Sequence, residues 1–460
     1  MRDHPDPRLS NRRNPYPLYN LSVRLVRAIV GIGVCLMASC AWGQEPPPRG
    51  AAAEPSGTPT TPAPSPPSLP IAAYPLELLG LLAPPAQRGP LTLSPSIAVS
   101  EEYNDNVHVD NRRRESDFIT NFSPTITLQA NHPSYQLYAG YSFTAAVYAE
   151  GTLPNEAFQS QNFIGSGSWQ VARGVTMSAS DSFAYNKSAT NLVAAQGFSV
   201  GQQESLSNTF SPGISWQMTP LNTLTFSATY GVLRFLGGGT GVDSNTYGIN
   251  TVLSHRFTQG FAGNIGYGFT YLHFPECVNV GSRCIDQPDS STHSPTIGFN
   301  YRLTQTLSTS VNGGAAVTQR GGRTELSPTG SASLIQQFSF GTASLNYNQG
   351  VSVAGGFGGS NDTLSVSGLL TLSTLLRNLL VVLGPTYTRS DPLLSQAPGQ
   401  GRFWSVSLNL GATYQIAPLV SAYGGYTFFL QRTGGPSSQA DVDQNRVRFG
   451  LQFGYPFSFD

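Results

Sequence analysis

One Gly-x-Ser-x-Gly occurs in this chain, Gly197-Phe198-Ser199-Val200-Gly201. In a hydrolase that spacing sets a serine on a tight strand-to-helix turn, with its hydroxyl raised for attack. No helical pattern follows it here, so it reads as a chance match in a chain rich in Gly and Ser. Histidines that could act as bases or metal ligands (His108, His132, His255, His273, His293) are scattered, with no i, i+4 pairing. No catalytic, cofactor or metal site is therefore expected. Asn104-Asp105-Asn106, or Asp441 with Asp443, carries enough oxygen to hold a cation. The plainer reading of both is solvated loop. Cys277 and Cys284 bracket a short Gly-containing stretch. In an exported chain two such cysteines most simply form one disulfide. A metal site there would have to draw on His273, Glu276 and Asp286.

Arginine is the other chemistry on offer. Arg446, Arg448 and Gln452 fall on alternate positions of the last apolar-polar segment, with Asn409 and Gln415 on the matching face of a neighbour. Arg302 and Asn300 stand further round. Fixed positive charge along a pore favours anions or hydroxyl-rich solutes. The same arginines would equally pair with Glu or Asp from loops folded inward. Tyr138, Tyr148 and Tyr423 share that face; rings beside polar groups suit sugars, or simply pack. All of this has meaning only if strands hold these residues on one face.

The chain points to strands. Of 460 residues only 11% are charged, with 25 Lys+Arg against 25 Asp+Glu, and Lys187 is the sole lysine. Gly (49) and Pro (34) are abundant and aromatics reach 11%. Long charged helices of a cytosolic enzyme are missing, and so is any basic patch for nucleic acid. From residue 91 the pattern has period two. Tyr135, Leu137, Ala139, Tyr141, Phe143, Ala145 and Val147 alternate with Gln136, Tyr138, Gly140, Ser142, Thr144 and Ala146. Residues 223–232 and 261–271 repeat it. A soluble sandwich would place Lys and Glu on its polar face, whereas here that face is small and uncharged. That suits a transmembrane barrel, apolar outside and polar inside.

Counting such segments predicts an all-β, antiparallel up-and-down barrel over 91–460 with about eighteen strands. Residues 187–203 and 275–292 are ambiguous. Connections alternate between short turns and longer loops, 320–325 counting among the longer. Trp169, Trp216, Phe257, Phe338 and Trp404 near strand ends read as interfacial girdles. Ser-Pro recurs at Ser94, Ser123, Ser211, Ser294 and Ser327; proline cannot donate to a ladder, so bulges or strand starts are expected.

Ahead of the barrel, residues 1–43 hold a charged stretch, an apolar run and small residues at Ala41 and Gly43, the order of an export signal with an extended N-region. Residues 44–90 are Pro-rich, a periplasmic linker with a short helix expected over 71–82.

The final strand carries Gly450, then Phe453 and Tyr455 three and five positions on, a pattern like the C-terminal signal read by the barrel-assembly machinery. Near the first strand come Tyr103-Asn104-Asp105-Asn106, then Arg114-Glu115-Ser116-Asp117, then Pro124-Thr125-Ile126. This set resembles the beta-barrel porin 2 family. The resemblance implies a Gram-negative outer-membrane barrel, set in lipid and lipopolysaccharide, with a porin-like or exopolysaccharide-export role. A channel for a small hydrophilic solute or a polysaccharide is thus the leading expectation, a non-transporting scaffold barrel the second, and an enzyme the third. Oligomeric state is not fixed by the sequence.

Overall fold

The computed structural model describes residues 91–187, 203–236, 241–275, 278–280, 283–285, 287–353, 359–373, 376–393, 402–433 and 441–459, with backbone only at 278–280, 283–285 and 353. The expected export signal, the Pro-rich segment with its helix, Ser199 and Cys277 lie outside these residues.

Period-two alternation becomes strand throughout. The strands are β1 (Leu91–Asn104), β2 (Asp117–His132), β3 (Tyr135–Tyr148), β4 (Glu156–Ala172), β5 (Val175–Asn186), β6 (Glu204–Gln217) and β7 (Asn222–Leu236). Next come β8 (Ser244–Arg256), β9 (Phe261–His273), β10 (Val278–Val280), β11 (Arg283–Ile285), β12 (Ser290–Arg302), β13 (Leu307–Arg320) and β14 (Arg323–Phe338). The remainder are β15 (Gly341–Val353), β16 (Ser360–Leu372), β17 (Leu379–Pro392), β18 (Phe403–Ala417), β19 (Val420–Thr433), β20 (Val442–Gly454) and β21 (Phe457–Phe459).

Each large strand pairs antiparallel with the next, β9 passing directly to β12. β20 returns to β1, with Ser96 opposite Gly454 and Asn104 opposite Arg446. The sheet therefore closes into a barrel of eighteen staves. β21 prolongs the last stave past Tyr455-Pro456 and pairs with Leu91–Leu93. β10 and β11 form a separate small hairpin, so 275–292 holds no extra stave. The last stave thus extends beyond the expected end of the C-terminal pattern.

At one end the connections are short, Pro133-Ser134 and Arg173-Gly174 among them, and both ends of the sheet lie there. The other end carries the longer loops, with one correction. β13 runs to Arg320 and β14 begins at Arg323, so the loop expected at 320–325 is the two-residue turn Gly321-Gly322. Both glycines have positive φ, +55° and +77°. Two such residues are what a tight hairpin needs to match the twist of its strands.

The five Ser-Pro steps are not bulges. All five lie inside strands with proline outward and serine inward. At three of them the ladder opens on one side while the register continues unshifted: Phe122 faces Ala145 and Thr125 faces Ser142, with no pair between. The same gap occurs at Ser211-Pro212 and Ser294-Pro295. Each missing amide removes a bond and leaves the alternation intact.

The outer face is apolar and exposed, Ile297 at 68% and Leu326 at 70%. Trp169, Trp216, Phe257 and Phe338 point outward at the short-turn end, as girdle positions should. Among the described residues apolar burial is small and, Ala130 beside a short turn apart, sits mostly at the long-loop end: Val107, Ile119, Ala146 and Tyr148 in one cluster, Val109, Phe429 and Val442 in another.

Candidate functional site

The inward face is the candidate site. By alternation it carries Ser142, Thr144, Ser227, Thr229, Ser407 and Asn409. Its two ends differ. Toward the short turns, Gln136, Asn300, Arg302, Gln337 and Gln415 are exposed. Toward the long loops the inward side chains are buried, among them Thr144, Ser205, Thr318, Ser390, Ser405, Gln431 and Gln444. The interior thus passes from an open mouth into a packed polar layer.

Glu102 anchors that layer. It faces inward from β1, opposite Arg448 of β20, at 4% exposure against 7% for the arginine. Arg448 Nε donates to Glu102 Oε2 at 2.7 Å and its Nη2 to the same oxygen. Arg446 Nη1 lies 3.8 Å from Oε1. Two guanidinium groups so share one carboxylate across the closing seam. The expectation that Arg446 and Arg448 point inward holds; their counter-charge comes from a strand and not from an inward loop.

Beside them the Asn104-Asp105-Asn106 turn carries the seam past the strand end. Asp105 accepts from the Asn445 amide and from its side chain, both at 2.7 Å. Gln444 Nε2 donates to Asn104 Oδ1 at 3.1 Å and to the Asn106 carbonyl at 2.8 Å. Asn106 Nδ2 donates to the Asp443 carbonyl at 2.9 Å, and Arg114 holds Asp105 at 2.5 Å. These oxygens are occupied as a latch. Among the described residues no group of three or more His, Cys, Asp or Glu is placed to hold a metal ion.

A second contact at the long-loop end ties two staves that are not neighbours. Ser290, the first residue of β12, and Ser360, the first of β16, bring their hydroxyls within 2.5 Å although three staves lie between them. Behind this contact Ala316, Thr318 and Ser327 of β13 and β14 are buried, and Thr292 meets Thr318 at 3.0 Å. Inward-facing Ser160, Ser205 and Ser327 have buried hydroxyls with no hydrogen-bond partner among the described residues. Buried hydroxyls in this state are ordinarily satisfied by water or a polar solute.

The expected lining residues therefore divide. Asn300 and Arg302 stand at the open mouth. Asn409 accepts from Thr427 at 3.2 Å at mid-depth, and Gln452 donates to Ser96 at 3.2 Å. Arg446 and Arg448 belong to the seam. Tyr138, Tyr148 and Tyr423 face inward as expected, and Tyr423 is fitted against Gly450, where a Cβ would sit 2.7 Å from its ring.

Charge is distributed along the axis. The short-turn end carries Arg173, Arg256, Arg302 and Arg377, and no Asp or Glu among the described residues. At the long-loop rim acids meet their partners. Asp391 lies 2.7 Å from Arg389 and also binds Arg402. Asp289 accepts from Tyr271 at 2.6 Å and pairs with His273 at 3.0 Å. Partial burial works to raise the Asp289 carboxyl, but the hydrogen bonds from Tyr271, His273 and the Phe274 amide together hold it below its ordinary range.

No protein-family model matches the chain, and no curated protein matches it. Solved structures do. Over 80% of this chain and 97% of the other it is similar to OpdO of Pseudomonas aeruginosa, at 11% identity and a TM-score of 0.41. The outer membrane protein OpdK of the same organism matches over 80% and 99%, at 12% identity and a TM-score of 0.41. OccK2 (OpdF) of that organism, solved in complex with glucuronate, matches over 80% and 98%, at 10% identity and 0.41. Likenesses at this level carry no inference about what this chain does.

Proposed function

We propose that the chain is an outer-membrane channel for small hydrophilic solutes, with a preference for anions. The observation that carries this is the closed ring of eighteen staves with a polar interior exposed at one mouth. A barrel of that size is too wide for side chains alone to fill. Its apolar, aromatic-edged exterior suits a lipid setting, and the loop asymmetry supports a periplasmic side for the short turns. The packed layer around Glu102 narrows the path, which suits small solutes. Anion preference follows from the arginines that remain in the open part, Arg256 and Arg302.

Planar-bilayer recording tests this. The protein should give single-channel steps with a reversal potential favouring anions. Arg256→Glu with Arg302→Glu should move that potential toward cations. Correctly folded protein without conductance would overturn the channel reading, and unchanged selectivity would remove the role of these two arginines.

A further inference from the structure

One charged side chain stands in the middle of the apolar exterior. The outward row of β5 reads Val175, Met177, Ala179, Asp181, Phe183, Tyr185. In register Asp181 lies between Gly165 of β4 and outward-facing Phe210 of β6, which is 42% exposed. It sits six residues from one end of the strand and five from the other, about 17–20 Å from either edge at about 3.3 Å per residue. Other outward-facing charges on the strands, such as Glu101, Glu204, Arg234, Asp362, Arg389 and Arg432, all lie near the long-loop end. Asn208 Nδ2 donates to Asp181 at 2.7 Å. One neutral amide does not replace the hydration that lipid withholds from a carboxyl group. Ionisable groups at this depth are costly and ordinarily face protein or water.

We infer that the β4–β6 face around Asp181 and Asn208 is where a second copy of this chain docks in the membrane, an inference resting on the transmembrane reading above. A second copy is the occupant because the face complements itself. The acceptor Asp181 and the donor Asn208 stand side by side on adjacent strands, so a two-fold axis sets the Asn208 amide of each copy toward the other's carboxyl. Such an isologous contact is the commonest way for identical chains to associate. The relief is compatible. Gly167 and Ala179, opposite each other in register, form a low strip, while Phe210 and Ile214, outward and exposed, form a ridge beside it. Rotation about the same axis lays ridge on strip, and small residues let the two walls approach closely. The exchange removes both polar pairs from lipid at once.

The test uses the whole barrel in native membranes and then in detergent. In a Cys277→Ser/Cys284→Ser background, oxidation of Ala179→Cys should yield a cross-linked dimer, whereas Leu364→Cys, outward on β16, should not. In detergent the native mass should be that of a dimer. Asp181→Leu should weaken self-association about 10-fold, in line with membrane-embedded hydrogen bonds elsewhere, while the barrel stays heat-modifiable. Asp181→Asn, which keeps a hydrogen-bonding group, should retain the dimer and guards against a folding defect in the leucine variant. A monomeric wild type, a cross-link to a different protein only, or a dimer unaffected by Asp181→Leu would overturn the inference. Conductance from a monomer would leave the channel reading standing while this one fails.

Discussion

Glu102 shows how little room the seam has for error. Its carboxylate is buried and holds Arg448 closely, with Arg446 3.8 Å away. Taking away one partner of a buried ion pair strands the remaining charge, which costs about 3–5 kcal/mol. Glu102→Ala should therefore destabilise the barrel by about that amount in reversible urea unfolding from lipid vesicles. Adding Arg448→Met should recover part of the loss, because it removes a buried charge whose facing carboxylate the first change took away. A Glu102→Ala loss below about 1 kcal/mol would place the pair with exposed salt bridges. Alternation alone shows that Arg446, Arg448 and Glu102 face inward. That they meet does not follow from local sequence, since it depends on the first and last strands being neighbours. The same holds for Asn104-Asp105-Asn106, which reads as a solvated loop until Gln444 and Asn445 are brought beside it.

At the scale of elements the last stave carries the argument. Phe449, Leu451 and Phe453 form its outward row, with Tyr455 exposed beyond it. Phe453→Ala with Tyr455→Ala should lower the amount of heat-modifiable barrel in outer membranes several-fold or more, because an unclosed last strand leaves two open edges. An unchanged amount would reject the role of these rings in assembly. Gly450 has a separate task, leaving space for the Tyr423 ring and for the Val99 carbonyl 2.5 Å from where a Cβ would stand. Strand positions and the closed ring were legible because period two survives for fourteen or so residues at a time in most staves. Two things were not. Arg320-Gly321-Gly322-Arg323 looks polar and Gly-rich like a loop, yet positive φ at both glycines lets it turn in two residues. The Ser-Pro steps resemble breaks, but a proline pointing outward loses one ladder bond without altering which face its neighbours occupy.

Across the whole molecule the interior is graded, open at the basic short-turn mouth and packed at the acidic, looped end. Ser290 and Ser360 hold together two staves that do not pair, at the long-loop end. Replacing both by alanine should raise unit conductance and make it noisier, since the two staves would no longer be held together. A conductance identical to wild type would locate the limiting constriction elsewhere. No reading of the sequence could have found this contact, because the two serines are 70 residues apart on strands that do not pair. The lumen arginines expected to act together are likewise split between the two ends, a separation fixed by strand direction and depth.

The closing ladder has a consequence for time as well as for strength. Seventeen of the eighteen ladders join consecutive staves and can zip as local hairpins. The eighteenth joins residues about 350 apart, Ser96 with Gly454 through Asn104 with Arg446. Contacts of such separation form only after the intervening chain has been ordered. The Glu102–Arg448 pair and the Asp105 latch are thus among the last bonds made. Bonds absent from the rate-limiting state leave the folding rate alone and slow the reverse process. The seam therefore works as a catch, setting how long a finished barrel lasts and not how quickly one is made.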